Sequence, residues 1–185
     1  MDENIGALKN TGFEIDLKGT LIHTRDFMWR MGVNLTHYKN VVTDLPLKDM
    51  PVTGVTRLKE GRSVYDFYLR EWAGVDPDNG DPLWYKNVKD EQGNITGRTT
   101  TNDYAQADYY YVDKSSLPKV YGGFNTAFSY KGFELSAIFA YSIGGYIVDR
   151  DVTMLWSNGS NPGRAWSTEI LKRWTPENRY TDVPA

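Results

Sequence analysis

Apolar and polar side chains alternate along residues 12–21, and this two-residue period constrains the fold more than any other feature of the sequence. Because successive side chains of a β-strand point to opposite faces, the alternation predicts a strand with one apolar and one polar face. The apolar positions are Phe13, Ile15, Leu17, Gly19 and Leu21. The polar positions are Glu14, Asp16, Lys18 and Thr20.

The same period starts again after the polar tetrapeptide at residues 23–26, whose composition suits a short turn. Two alternating segments joined so tightly predict an antiparallel hairpin. The apolar positions of the second segment are Phe27, Trp29, Met31, Val33 and Leu35. Its polar positions include Arg30, Gly32, Asn34 and Thr36.

A second hairpin is predicted around Lys131 and Gly132, since glycine readily adopts the positive φ that a two-residue hairpin turn requires. Its return strand keeps an uninterrupted apolar face for about 11 residues, close to the length that a tilted strand needs to cross a bilayer. The apolar side of the first strand carries Phe124, Thr126, Phe128 and Tyr130. The apolar side of the return strand carries Phe133, Leu135, Ala137, Phe139, Tyr141 and Ile143.

Long polar segments follow the hairpins, at residues 43–117 and 150–185. The first contains two strand-like pieces, at 63–72 and 83–87, and the second a short helix at 168–173 capped by Ser167 and ended by Pro176. Tight turns at one end and long loops at the other are typical of outer-membrane barrels.

Composition narrows the function classes. The chain has 13 Tyr, 7 Phe and 6 Trp, an aromatic content that fits the interfacial rings of membrane barrels and also sugar-binding all-β modules. The formal net charge is -3 without a basic cluster, which excludes nucleic acid as a partner. Cysteine is absent, which excludes thiolate catalysis. No apolar run is long enough for a membrane-spanning helix.

The predicted fold class is all-β: an antiparallel segment of a large transmembrane β-barrel with long extracellular loops. About five or six strands are expected, fewer than the 8 of the smallest membrane barrels, and open edges are not tolerated in lipid. Residues 1–185 are therefore expected to form part of a larger barrel domain. The start, MDENIGALKN, lacks a secretory signal, which an outer-membrane protein needs. The alternative is a soluble carbohydrate-binding β-sandwich, in which the apolar stripes pack on each other.

Several segments together resemble the C-terminal part of SusC/RagA-type TonB-linked outer-membrane receptors. They are NIGALKNTGFEIDL, SVYDFYLREWAGVDPDNGDPLWY, LPKVYGGFNTAFSYKGFELSAIFAYSIGG and LKRWTPENRYTDVP. They cover nearly the whole chain in the order of the family. The combination is specific, although each segment alone is weak.

The resemblance implies a barrel of 22 strands with an N-terminal plug domain. By this comparison, the plug domain and the terminal strands of the barrel are expected to lie outside residues 1–185. It implies nutrient import across the outer membrane of a Gram-negative, Bacteroidetes-like cell. The implied partners are a SusD-like lipoprotein, TonB acting through the missing N-terminal part, an oligosaccharide or peptide substrate, and outer-membrane lipid. It implies no enzyme activity and no cofactor.

Two sets of side chains are candidates for function. Aromatic rings outside the best-alternating strands can pack on the C–H faces of sugars. These candidate substrate-binding residues are Trp72, Trp84, Tyr85 and Trp156. The predicted lipid-facing residues are Phe13, Ile15, Leu17, Phe27, Trp29, Met31, Val33, Phe128, Phe133, Leu135 and Phe139. Rings near the short turns, Tyr130 among them, are expected to form the periplasmic aromatic girdle.

Neither catalysis nor metal binding is predicted. The sequence DPDNGD at residues 76–81 begins like a calcium loop, but Gly80 and Asn87 stand where ligands are required. His23 and His37 have no partner at metal-binding spacing. Glu14, Asp16 and other strand carboxylates are interpreted as solvated charges of the polar face, because nothing in the sequence places them as a facing pair.

Overall fold

The computed structural model describes residues 6–47, 50–156, 163 and 165–185. Its regular secondary structure is mostly antiparallel β-strand with little helix, which confirms the all-β prediction. The strands are β1 (Ala7–His23), β2 (Phe27–Asp44), β3 (Asp66–Arg70), β4 (Trp72–Val75), β5 (Pro82–Lys89), β6 (Ile95–Thr101), β7 (Tyr109–Ser115), β8 (Pro118–Tyr130) and β9 (Phe133–Gly144). A helix α1 (Arg150–Leu155) and two 3-10 turns (Tyr104–Gln106 and Thr168–Lys172) complete the described chain.

Four strands form one antiparallel sheet in the order β1-β2-β8-β9, which we call the long sheet. Its strands have 17, 18, 13 and 12 residues, so each exceeds the roughly 9 to 11 residues that cross the hydrocarbon layer. The two predicted hairpins are β1 with β2 and β8 with β9. Pairing of β2 with β8 joins the hairpins across the long intervening segment.

Both tight turns lie at the same end of the long sheet. Lys131 and Gly132 have φ values of 47° and 88°, the positive pair that a type I′ hairpin turn requires. The backbone N–H of Lys131 donates to the carbonyl of Asp26 in the other turn, at 3.0 Å. Residues 45–117 and the chain after Gly144 leave from the opposite end, which confirms the predicted asymmetry of turns and loops.

Gly122 allows a close approach between β2 and β8. A Cβ added there would collide with the carbonyl oxygen of Asn34. Tyr141 lies opposite Gly122 on β9, and its hydroxyl donates to that same carbonyl at 2.9 Å. Glycine at this position therefore leaves room for a tyrosine that crosses the sheet, an arrangement known from aromatic rescue of strand glycines.

Beyond Thr36, the strand β2 continues without β8 and pairs with a loop segment. The N–H of Val42 donates to the carbonyl of Arg62 at 2.8 Å, and the N–H of Gly61 donates to the carbonyl of Val42 at 2.9 Å. The buried Asn40 accepts from the N–H of Val64 at 3.0 Å. This pairing fixes the start of the long connection on the end of β2.

The chain divides into two compact units, Met1–Phe67 with Asp113–Tyr146, and Tyr68–Val112 with Ile147–Ala185. The first contains the long sheet. The second contains a three-stranded sheet in the order β4-β5-β6, which we call the short sheet. Ser167 caps the 3-10 turn that follows it, where a short helix was predicted, by accepting from the N–H of Glu169.

Few side chains in the described residues are fully buried, and no large hydrophobic layer covers the described long sheet. The buried hydrophobic residues are Val42, Phe67, Ala107, Ile170 and Val183. None of the helices in the described part of the chain is long and apolar enough to cross a membrane.

Candidate functional site

All predicted lipid-facing residues lie on one side of the long sheet, which we call the apolar face. Residues directly opposite each other in antiparallel strands share a face, so the register alone assigns them. One row across the sheet is Leu17, Val33, Phe124 and Phe139. The register places the other predicted residues on the same face: Phe13, Ile15, Phe27, Trp29, Met31, Phe128, Phe133 and Leu135.

The apolar face concentrates phenylalanine. Six of the 7 phenylalanines of the sequence lie on it, and the seventh, Phe67, is buried elsewhere in the same unit. The face is open to its surroundings, since Phe133 is 81% and Leu135 is 69% exposed. A hydrocarbon surface of this kind is costly in water and favourable against lipid.

A β-bulge shifts the phase of β1 near its end. The sequence pattern places Leu21 in the apolar stripe, but the register jumps between Thr20 and Ile22. Ile22 lies opposite Trp29 instead, so Ile22 takes the apolar-face position that the alternation gave to Leu21. An extra residue in one strand displaces the alternation beyond it.

Aromatic rings gather where the apolar face meets the short turns, which is where the sequence analysis predicts a girdle. Phe128 packs against Trp29 with centroids 5.5 Å apart and against Phe27 at 6.4 Å. Trp29 also donates its indole N–H to the hydroxyl of Thr126, at 2.9 Å. Tyr130 and Phe133 form the next row towards the turn.

The opposite side of the long sheet, the polar face, carries charges and amides. The N–H of Gly123 donates to the side-chain oxygen of Asn34 at 2.9 Å, and Lys18 pairs with Asp16 at 2.8 Å. Apolar residues are sparse on it, although Ile138 lies there and is 86% exposed. A wet lumen suits such a surface.

Two of the four candidate substrate-binding residues meet in the second unit. Trp72 and Trp84 lie opposite each other on β4 and β5, with ring centroids 5.7 Å apart at 77°. Tyr104 joins them, 5.1 Å from Trp84 at 69°. Trp72 is 40% and Tyr104 52% exposed, so these three rings, the aromatic corner, present open surface. Tyr104 was missed because it follows β6 in a 3-10 turn that no periodicity marks.

Arg70 extends the aromatic corner. Its guanidinium carbon lies 4.2 Å from the ring centre of Tyr104 and 4.6 Å from that of Tyr109. The Nε–H donates to the carbonyl of Ala107 at 3.2 Å. Tyr68 stacks on Tyr109 at 5.5 Å, so the series of rings continues beyond the arginine.

Tyr85 belongs to a different cluster, because it is next to Trp84 in β5 and therefore points to the other face of the short sheet. Arg98 lies 4.0 Å over the Tyr85 ring and 4.2 Å over that of Tyr110. Glu71 pairs with Arg98 at 2.7 Å, and this carboxylate raises the arginine pKa. Burial raises the pKa of the Tyr110 hydroxyl. The Tyr85 ring is thus covered by a paired cation.

Trp156 caps the end of α1, where its N–H donates to the carbonyl of Val152 at 3.0 Å. Its ring is exposed and makes no described ring contact with Trp72 or Trp84. The adjacent predicted loop at 157–162 lies outside the described residues. The four predicted aromatics are therefore divided among three places.

The acidic loop at residues 76–81 is a hydrogen-bonded turn. Asp76 accepts from the N–H of Asp78 through its side chain, and Gly80 adopts a φ of 82°. Arg179 pairs with Asp78 at 2.6 Å and donates to the carbonyl of Pro77 at 2.7 Å. These bonds use one side-chain oxygen each of Asp76 and Asp78, the first and third positions of the calcium-loop pattern. Among the described residues no group of three or more His, Cys, Asp or Glu side chains is arranged to hold a metal.

The two histidines lie on the hairpin β1 and β2. His23 is the last residue of β1, next to the turn where it was expected. His37 lies on β2, where its Nδ1 is 2.5 Å from the carbonyl oxygen of Lys119 and its ring packs 5.5 Å from Phe13. Both positions are accounted for by strand and turn structure.

No protein-family model matches the chain. It is similar to TonB-dependent receptors P3 and P26 of Formosa agariphila, each with 28% identity over 98% of the chain and 19% of the relative. It is also similar to TonB-dependent receptor SusC of Bacteroides thetaiotaomicron, with 28% identity over 80% of the chain and 15% of the relative.

Solved structures give the same result. A structure of the RagAB peptide transporter matches with a TM-score of 0.84 and 31% identity, covering 98% of this chain and 20% of the other. The open-open state of the RagAB peptide importer matches with a TM-score of 0.79 and 30% identity. The chain spans about one fifth of the length of the proteins that it matches, so it corresponds to one segment of a much larger barrel.

Proposed function

Because this chain is a segment of a SusC/RagA-type receptor, we propose that the protein to which it belongs imports nutrients across the outer membrane. The long sheet supplies part of the barrel wall, and the connections at its loop end supply part of the surface that meets the substrate. The recognition of the family from the sequence segments agrees with the similarity over nearly the whole chain.

The observation that carries this proposal is the contrast between the two faces of the long sheet. The apolar face holds six phenylalanines and stays open, while the polar face holds charges and amides. Lipid against the first face and water against the second satisfy both at once. The residues predicted to face lipid keep that role in the proposal.

A soluble carbohydrate-binding β-sandwich would need a second sheet against the apolar face. Inward-facing residues of a sandwich interdigitate and become buried. Phe133 and Leu135 are instead strongly exposed in the described unit. This exposure favours the barrel over the sandwich.

Within the second unit, the aromatic corner supports a role in substrate contact. Trp72 and Tyr104 present open ring surface, which suits the C–H face of a sugar or the apolar side chain of a peptide. Trp84 contacts both rings edge to face, at 77° to Trp72 and 69° to Tyr104. Tyr85 and Trp156 stay sequence predictions for substrate contact, and the structure puts them outside the corner.

The proposed partners follow from the family. A SusD-like lipoprotein captures an oligosaccharide or a peptide together with the extracellular loops, and TonB acts through the N-terminal part of the receptor. The matched structures are described as a peptide transporter and a peptide importer. Glycan and peptide are both retained as substrate classes here.

The import proposal is tested by deleting the whole gene and measuring growth on single oligosaccharides and on single oligopeptides. We expect growth to fail on at least one oligomer and to be restored by the wild-type gene. Growth on the corresponding monosaccharides and free amino acids serves as the control, because these need no dedicated receptor. Unchanged growth on every oligomer tried would contradict the proposal.

A further inference from the structure

The second unit offers two arginines in closely similar surroundings, Arg70 at the end of β3 and Arg98 in β6. Arg98 and Arg70 each lie over two tyrosine rings, at 4.0 and 4.2 Å for Arg98 and at 4.2 and 4.6 Å for Arg70. They differ in their ionic partners. Arg98 is paired with Glu71 at 2.7 Å, whereas the described ion pairs include none with Arg70.

Stacking on rings leaves the edge of a guanidinium available. The planar group presents five N–H donors in its own plane, and its faces are the parts that contact tyrosine. In Arg70 the Nε–H is used by the carbonyl of Ala107. The two terminal nitrogens have no acceptor in the described part of the chain. They form the fork that binds a carboxylate through two parallel hydrogen bonds.

Two acidic residues are next to the aromatic corner in the sequence, and both are already employed. Glu71 pairs with Arg98 at 2.7 Å, and the other residue is Asp103. Its carboxylate accepts from the N–H of Ala105 at 2.9 Å and from the side chain of Gln106 at 3.0 Å. These bonds cap the 3-10 turn that carries Tyr104. Asp103 thus holds the ring in place and does not neutralise Arg70.

We infer that Arg70, held against Tyr104 and Tyr109 beside the exposed aromatic corner, binds a carboxylate of the imported molecule. This inference rests on the proposed import function and names the chemistry of its substrate. Tyr104 contacts both Trp84 and Arg70, so the apolar surface and the cation are separated by one ring. The ligand therefore presents a carboxylate within about one residue or one sugar unit of an apolar or C–H face.

Two sources supply such a group: the C-terminus or an acidic side chain of a peptide, and the uronic acid of a glycan. The test uses the purified full-length receptor with its lipoprotein. One arm measures binding of an apolar oligopeptide with a free C-terminus and of the same peptide as its amide. The other arm measures binding of an oligogalacturonate and of its methyl ester.

In at least one arm we expect the wild-type receptor to bind the acid about tenfold more tightly than the neutral amide or ester. A charge-assisted bidentate hydrogen-bond pair is strong enough to give this difference in affinity. Arg70→Met should bring that ratio close to one, and Arg70→Lys should retain part of it because the charge remains. Arg98→Met is the matched control, and it should leave the ratio unchanged because Glu71 already neutralises that cation. Heat-modifiable mobility of each variant establishes that the barrel is assembled.

The inference would be overturned if the wild type bound the acids and their neutral derivatives equally well, or bound none of them. It would also be overturned if both Arg70 variants kept the wild-type ratio of acid to neutral affinity. Loss of the lipoprotein from Arg70→Met with an unchanged ratio would also overturn it, by assigning the arginine to a protein contact. The growth test on the gene deletion is independent of this ratio, so failure of import and failure of carboxylate binding are distinguishable.

Discussion

The long sheet and the second unit use different aromatic residues. On the apolar face of the long sheet the rings are mainly phenylalanine, stacked on each other, as in Phe124 with Phe139 at 4.4 Å. The second unit holds five of the 6 tryptophans, and two of its arginines lie over tyrosine rings. Phenylalanine has no polar atom, whereas tyrosine and tryptophan carry a hydrogen-bonding group. The difference is the one that the proposed function requires, with hydrocarbon against one region and polar partners against the other.

The largest expected effect comes from placing a charge on the apolar face. Leu17→Arg lies in the middle row of the long sheet and should destabilise the full-length barrel by about 2–4 kcal/mol, the cost of arginine near the bilayer centre. The free energy of unfolding in lipid bilayers measures it. Ile138→Arg is the matched control on the polar face, one row away, and should cost about 1 kcal/mol or less. Equal costs for the two variants would remove the contrast between the faces.

A smaller effect is expected from closing the gap at Gly122. Gly122→Ala puts a methyl group against the carbonyl of Asn34, and we expect a loss of about 1–3 kcal/mol from overpacking. Gly19→Ala on β1 meets no atom within 4 Å and should be neutral or gain up to about 1 kcal/mol. Unfolding of both variants in the same bilayers gives the comparison. A tolerated Gly122→Ala would show that the strands can separate there.

The smallest effect is expected in the paired arginine cluster of the second unit. Arg98→Met removes two ring contacts and an ion pair that is about 40% exposed, so we expect about 1–2 kcal/mol of local destabilisation. Glu71→Gln removes the charge partner alone and should cost about 0.5 kcal/mol or less. Hydrogen exchange of β5 and β6 amides in the full-length receptor measures both. A larger effect of Glu71→Gln than of Arg98→Met would assign the stability to charge pairing instead of ring contact.

Much of the long sheet could be predicted because its strands alternate apolar and polar residues with a period of two in the sequence. Both tight turns and all four long strands agree with the alternation. The bulge at Leu21 could not be predicted, since an inserted residue changes the phase without changing the composition of the strand. The need for glycine at Gly122 depends on Asn34 and Tyr141, which are distant in sequence.

The second unit was less predictable. The sequence suggested five or six strands, and the described chain has nine. Strand β6, ITGRTTT, is almost entirely polar and shows no alternation, so only its pairing with β5 identifies it. Trp72 and Trp84 were recognised from residue type. Arg70 and Tyr104 were not, because their contact joins residues far apart in the sequence.

The central claim, that the apolar face of the long sheet contacts lipid, is tested most directly by measuring which side chains of β9 face the bilayer. The sequence contains no cysteine, so single cysteines at successive positions from 133 to 143 of a cysteine-free full-length receptor can carry spin labels. In bilayers, labels at 135, 137 and 139 should be accessible to oxygen dissolved in lipid. Labels at 136, 138 and 140 should be accessible to a water-soluble nickel complex. Alternation of the opposite phase, or none, would contradict the assignment of the apolar face to lipid.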